Sequence, residues 1–176
     1  MDVDLVPWSA AALGLLRQIN TPEMRRWVGG PESEPALLAR HRRYLAMPEE
    51  GVGCMFAVLL DQETVGSIHY HRRDWQGEQV YETGWNVLPP HQGRGIALAA
   101  GTALIAVVRE AAQRPGAPGA LHAFPSVGNA ASNALCDRLG FTLRGACDFE
   151  YPRGSGRLMR SNDWRLGLAD QGISAG

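Results

Sequence analysis

The chain has 176 residues, enough for one domain with a sizeable core, and its 45 % hydrophobic content argues against wholesale disorder despite 21 Gly and 11 Pro. A formal net charge of −1 means that no global basic field advertises nucleic acid. All 17 non-histidine basic residues are Arg; without Lys there is no Walker P-loop, no pyridoxal-phosphate Schiff base and no Ser-x-x-Lys hydrolase.

In chain order, residues 3–8 read as a short first strand. Residues 9–48 read as helical, with breaks at Pro22, Gly29-Gly30-Pro31 and Pro48. Three strand-like runs follow, Gly53–Leu60, Thr64–His71 and Gln79–Leu88, separated by turn residues and stopped by Pro89-Pro90. Gly95 to Ala112 has helical length and the unbroken small-and-aliphatic character of a buried helix. Ala120–Phe124 is a short strand stopped by Pro125, and Asn129–Leu139 is a second helix with Gly140 placed as its C′ residue. Phe141–Tyr151 and Arg157–Leu168 form a final hairpin. Helices, meander, helix, strand, helix, hairpin is an α/β (α+β) order with a sheet of mixed direction, in one domain over residues 1–176.

The longest apolar stretch, Ile96 to Val108, is shorter than the ~20 residues of a membrane span, and Arg109 closes it. Asp2 and Asp4 stand where a signal peptide would be basic. Cys54, Cys136 and Cys147 are odd in number and lack C-x-x-C spacing, which suggests neither a disulfide framework nor a zinc site. These features predict a soluble cytoplasmic protein with no metal and no membrane or nucleic-acid partner. A monomer and a homodimer both remain open.

The informative segment is Pro89-Pro90-His91-Gln92-Gly93-Arg94-Gly95-Ile96-Ala97, which leaves a strand and opens the long helix. A helix start offers about four unpaired N–H groups and partial positive charge, which suits a pyrophosphate. A dinucleotide fingerprint would need a third Gly at position 98, where Leu98 stands. The segment Gln92-x-x-Gly95-x-Ala97 resembles the central motif of the GNAT superfamily of acyl-CoA-dependent N-acyltransferases. Upstream, Glu82-Thr83-Gly84-Trp85-Asn86-Val87-Leu88-Pro89 resembles a strand of its ribosomal-protein N-terminal acetyltransferase branch. Downstream, Asn129-Ala-Ala-Ser132-Asn133 and Leu139-Gly140-Phe141 resemble that branch's closing segment. The three motifs stand in family order and cover residues 82–145.

The resemblance implies a mostly antiparallel central sheet flanked by helices, with a splayed strand that pairs with the pantetheine arm of acetyl-CoA. That role would fall on Trp85, Asn86 and Val87. The loop from Gly93 through Arg94, Gly95, Ile96 and Ala97 to Leu98 would hold the pyrophosphate, with Arg94 either adding charge or facing solvent. Asn129 would touch pantetheine, cap its helix, or do both. Asn129, Ser132 and Cys136 are spaced to share one helical face. Many family members carry a Tyr acid where this chain has Cys136, which reads better as a small buried filler. Ser132 then becomes the candidate proton donor to the leaving thiolate; its alternative is a hydroxyl bonded to its own helix. Glu82 is the first candidate base, or else a strut to a neighbouring strand; Asp148 and Glu150 are in reserve. The Val87 N–H is an oxyanion donor by resemblance.

Other signals carry less. His69 and His71 share a strand face and suit a cleft wall better than a metal without a third ligand. Arg40-His41-Arg42-Arg43 and Arg72-Arg73 read as a solvated face or as a rim attracting anions. Trp27, Tyr44 and Trp75 are candidate substrate contacts or plain core. Gly172-Ile-Ser174-Ala-Gly176 matches a hydrolase elbow with no helix after it. The reading is an N-acetyltransferase that moves acetyl directly from acetyl-CoA to a primary amine, a protein N-terminal α-amine or a small-molecule amine. The alternative is a non-catalytic acyl-CoA-binding or regulatory module on the same fold.

Overall fold

Continuous apolar runs such as Cys54–Leu60 suit a sheet buried on both faces, and the chain forms one seven-stranded sheet with helices on both. The computed structural model describes residues 2–152 and 154–169, so the Gly172–Gly176 motif lies outside the described residues. The elements are β1 (Asp4–Pro7), α1 (Leu13–Ile19), α2 (Glu34–Ala46), β2 (Gly53–Leu60), β3 (Glu63–Trp75), β4 (Glu78–Val87), α3 (Ile96–Ala112), β5 (Ala120–Ala123), α4 (Ala130–Arg138), β6 (Thr142–Glu150) and β7 (Leu158–Gly167). The strand order is β1-β2-β3-β4-β5-β7-β6. Only β4 and β5 run parallel; every other neighbouring pair is antiparallel.

On one face Phe56, Val58, Ile68, Tyr81 and Leu121 pack with Ile96, Ala100, Leu104 and Val108 of α3. The aliphatic character of α3 has this cause: the helix lies across the sheet. On the other face Met55 and Ala57 pack with Leu15, Leu16 and Ile19 of α1 and Leu37 of α2.

Two expectations need correction. Residues 9–48 are not one broken helical region. Between α1 and α2 the chain makes turns over residues 20–33, because Pro22 and Gly29-Gly30-Pro31 stop helix propagation. Asn20 closes this loop at its neck, donating from Nδ2 to the Glu32 carbonyl (2.9 Å) and accepting the Glu32 N–H at Oδ1 (2.8 Å). Second, β3 continues past His71 to Trp75. Arg72 to Trp75 are not an apolar run, but each pairs with β4 across the hairpin.

The splay that positions the site has a local cause. β4 and β5 pair only at Tyr81↔Leu121, Glu82↔His122 and Thr83↔Ala123. Beyond them Pro125 has no N–H to offer, and its chain leans toward β7 instead. The Asn162 N–H donates to the Pro125 carbonyl (2.9 Å), and the Val127 N–H to the Arg160 carbonyl (3.1 Å). Residues 84–87 therefore keep β3 on one side and an open gap on the other. The Leu88 N–H bonds the Val65 carbonyl at 2.9 Å and fixes the ladder's phase. In an antiparallel pair alternate residues face the partner, so Gly84 and Asn86 turn their backbone to β3. Trp85 and Val87 turn theirs into the gap.

Candidate active site

A cleft of about 410 Å³ occupies the gap between β4 and α4. Trp85, Asn86, Val87, Gly93, Gly95, Ile96, Ala97, Leu98, Asn129 and Ser132 line it. At its mouth the chain makes a 3-10 turn at Pro89–His91 and enters α3 through Gly93 (φ +73°) and Gly95 (φ +82°). Those backbone angles select Gly at both positions. Gly95 is the N-cap and supplies no side-chain cap, so the first N–H groups of α3, at Ile96, Ala97 and Leu98, have no intrahelical partner. Gln92 braces the loop, donating from Nε2 to the Val87 carbonyl (2.9 Å). That leaves the Val87 N–H facing the gap. A splayed strand edge opposite bare helix N–H groups fits a CoA thioester: extended pantetheine along the strand, pyrophosphate at the helix.

The far wall is the start of α4. Asn129 caps it, accepting the Ser132 N–H at Oδ1 (3.2 Å). Asn133 stands in the sequence motif with no role expected of it. It donates to the Ser126 and Asn129 carbonyls (3.0 and 2.8 Å) and accepts from Asn162 Nδ2 (2.7 Å) and Trp164 Nε1 (2.8 Å). This bolts α4 to β7. The Ser132 hydroxyl makes no hydrogen bond among the described residues, so it is not spent on its own helix. Cys136 does not share the cleft face: it lies fully buried in the α3-side core, and burial pushes its thiol up to about 12. It is a filler, neither acid nor nucleophile.

A second cavity of about 170 Å³ adjoins the first on the α1–α2 side of β4. The two share Trp27, Trp85, Asn86, Asn129 and Ser132. Ser132 thus stands at their junction. The second cavity is walled by Glu82, His69, Tyr44, Arg25 and Arg40 among others. Glu82 Oε2 lies 2.9 Å from Arg73 Nη1 and 3.3 Å from His71 Nε2. Burial pushes the Glu82 carboxyl up, but the hydrogen bond from His71 and the charges of His71 and Arg73 outweigh it and hold the group down at about 2. Of the roles open to Glu82 from sequence, these contacts are those of a strut to β3, and the same side chain walls the second cavity. His69 stacks on His71 with centroids 5.3 Å apart. Burial first, then His71, brings its pKa down to about 3, so it is a neutral imidazole.

The 20–33 loop roofs this second cavity. Trp27 packs over Gly128, where a Cβ would come within 2.9 Å of the indole. Buried Arg25 donates from Nε to the Gly30 carbonyl (2.8 Å). Glu32 sits between Arg25 (3.7 Å) and Arg40 (2.6 Å). The shorter contact is close but lacks hydrogen-bond alignment, since Arg40 Nη2 and Glu32 Oε2 both remain without a hydrogen-bond partner. Nothing in the spacing of Arg25, Glu32 and Arg40 points to this trio; the loop's closure creates it.

Several candidates lie elsewhere. Arg94 points out of the cleft and bonds His91 Nδ1 (3.3 Å). Trp75 bonds Asp163 (3.0 Å) and packs on Phe124. It lines a separate cavity of about 290 Å³ with His122 and Asp163. Asp148 is exposed and pairs with Arg160 (3.1 Å), while Glu150 accepts the Gly156 N–H (2.7 Å). Neither acid lines the two adjoining cavities. Arg40 and His41 are buried rather than solvated.

The comparisons agree with this geometry. A family model described as an acetyltransferase (GNAT) domain matches residues 2–142. No curated protein matches the sequence. Among solved structures, the chain is similar to an acetyltransferase that modifies the N-terminal serine of a 50S ribosomal subunit protein from Salmonella typhimurium. The TM-score is 0.74 at 17% identity, over 95% of each chain. An acetyltransferase from Agrobacterium tumefaciens gives 0.74 at 24% identity, over 93% of this chain and 90% of that one. The aminoglycoside acetyltransferase AAC(6')-Ib, with an aminoglycoside and acetyl-CoA, gives 0.77 at 15% identity over both whole chains. With the family model spanning most of its length, this chain belongs to the GNAT acetyltransferase family, whose donor is acetyl-CoA.

Proposed function

We propose that this acetyltransferase passes the acetyl group directly to a primary amine, with donor in the cleft and acceptor in the adjoining cavity. The observation that carries this reading is Ser132, which lines both cavities and whose hydroxyl has no hydrogen-bond partner among the described residues. When bound, acetyl-CoA supplies an activated carbonyl and a thiol leaving group. The Val87 N–H, turned into the gap, stabilises the negative oxygen that forms as the amine attacks. The Ser132 hydroxyl gives a proton to the departing sulfur and recovers one from the water that takes up the amine's proton. Asn129 holds the pantetheine amide with the side-chain NH2 that its capping role leaves over. Trp85 and Val87 bind the arm through backbone, and Asn86 through its side chain. Gly93, Gly95, Ile96, Ala97 and Leu98 present backbone to the pyrophosphate.

Glu82, with its pKa near 2, is too weak to take a proton outright from an ammonium. It accepts a hydrogen bond from the incoming amine and orients it, while a water molecule takes up the proton. That suits an α-amine of pKa about 7.7–8.0, whose neutral form costs only ~1 kcal/mol at pH 7. The acceptor is a protein N-terminal or small-molecule amine, met in the cytoplasm. The three cysteines are free thiols, as a reducing compartment keeps them, and no described helix is long and apolar enough to cross a membrane.

The test is CoA release with and without added amine, in the native enzyme and in Ser132→Ala. The expected result is amine-dependent release, with kcat reduced roughly 10²-fold or more in the variant, the range of a general acid, and acetyl-CoA affinity preserved. Acetyl-CoA binding with no amine-dependent release would favour a non-catalytic acyl-CoA-binding module.

A further inference from the structure

The acceptor cavity carries a surplus of positive charge in its wall. Glu82 is already answered by Arg73 at 2.9 Å and by His71 at 3.3 Å. Deeper under the roof loop, Arg25 and Arg40 share a single carboxylate, Glu32. Both guanidinium groups are nearly sealed, their side chains 4% and 7% exposed. Arg25 is engaged by the loop through the Gly30 carbonyl. Arg40 has no backbone anchor of that kind; its Nη2 lies 2.6 Å from Glu32 Oε2 but without hydrogen-bond alignment. Its Nη1 has a long 3.4 Å contact with the Tyr44 hydroxyl, and its Nε has no partner among the described residues. A buried cation without full pairing is costly. A guanidinium in that state is a fork for a carboxylate, since charge-assisted bonds are the strong ones.

Resting on the acetyltransferase reading above, we infer that the acceptor is an amine bearing a carboxylate, which Arg40 binds inside the cavity while Ser132 and Glu82 flank the nitrogen. The carboxylate is either an acidic side chain at a peptide N-terminus or the free carboxyl end of a very short acceptor. A polycationic acceptor would meet like charge at Arg25 and Arg40, so the aminoglycosides bound by one structural neighbour are the wrong class for this wall.

The experiment uses the whole protein and acceptors that each carry one α-amine: Glu-Ala-amide, Gln-Ala-amide, Arg-Ala-amide and Gln-Ala with a free carboxyl end. CoA release gives kcat and KM for each, and acetyl-CoA binding is measured in parallel. The expected order places at least one carboxylate-bearing acceptor about tenfold above Gln-Ala-amide in kcat/KM, the scale of one charge-assisted hydrogen bond, with Arg-Ala-amide lowest. Glu-Ala-amide leading would identify the side-chain carboxylate, and the free acid leading the terminal one. Arg40→Gln should pull that ratio toward one by raising KM for the carboxylate acceptor. Arg40→Lys should restore part of it, and Glu32→Gln should increase it by freeing Arg40. Equal or faster turnover of neutral or cationic acceptors overturns the inference, as does acetyl-CoA binding with no carboxylate acceptor used. The native enzyme alone decides this even where a variant fails to fold. Absence of acetyl-CoA binding would instead overturn the acetyltransferase reading itself.

Discussion

At the scale of single residues, this site is built from groups held in one protonation state by their neighbours. His69 is neutral because burial and His71 oppose its charge. Glu82 is ionised because His71 and Arg73 overcome its desolvation. The second case has a consequence for acid stability. Glu82 is held at about 2 in the folded protein, against 4.5 for an unperturbed group. As pH falls, the unfolded chain therefore takes up this proton first. The stability that Glu82 contributes is complete above about pH 4.5 and drains away toward pH 2. Glu82→Gln should lower stability at neutral pH, because Arg73 loses its counter-charge inside the fold. It should also flatten the loss between pH 4.5 and 2. Denaturation midpoints measured at steps across that range check both effects, and an unchanged acid limb would show that another carboxylate controls it.

At the scale of elements, α3 packs at Gly101 against Leu139 at the end of α4, the helix that forms the far wall of the cleft. A Cβ there would lie 2.6 Å from Leu139 Cδ1. Gly101→Ala trades that crowding against about 1 kcal/mol of helix propensity and should be close to neutral. Gly101→Val adds two methyl groups beyond that Cβ and should cost ~1–3 kcal/mol by overpacking. It should also lower kcat, because the displaced α4 carries Ser132 and Asn129. Melting temperature and turnover measured together check this. The elements themselves were largely legible in the sequence. The strand at Gly53–Leu60 is found at its expected ends, and those flanking it differ by a residue or a few, because apolar alternation and Pro or Gly punctuation act locally. The donor loop was legible for the same reason: Gly93 and Gly95 announce backbone angles that few other residues tolerate. What the sequence hid is non-local. Arg25 and Arg40 are far apart along the chain and meet at Glu32 only once the 20–33 loop folds back. Asn86 reads as a backbone partner of the donor until the β3–β4 register fixes which residues face the gap.

At the scale of the whole molecule, one irregularity in the sheet creates the cleft proposed for the donor, and the rest of the fold holds it open. The β4–β5 pairing lasts three residues; α3 buttresses it from one face and the α1–α2 side walls the adjoining cavity on the other. Donor binding should therefore stabilise the whole domain, since the cleft borrows its walls from β4, α3 and α4 together and has no counterpart in the unfolded chain. At acetyl-CoA about 100-fold above its dissociation constant, binding contributes about 2.7 kcal/mol. For a chain of this length that corresponds to a rise of roughly 5–11 °C in melting temperature. Gly95→Val separates this effect from general stability. A Cβ at this position would meet nothing within 4 Å, but the backbone φ is +82°. The variant's own cost is thus backbone strain of about 1–2 kcal/mol, and the added side chain projects into space at the mouth of the donor cleft. The expected outcome is a modestly less stable protein whose melting temperature no longer responds to acetyl-CoA. A full ligand-induced rise in the variant would mean that the pyrophosphate is held elsewhere than at the start of α3. No rise in the native protein would mean that the cleft between β4 and α4 does not receive acetyl-CoA.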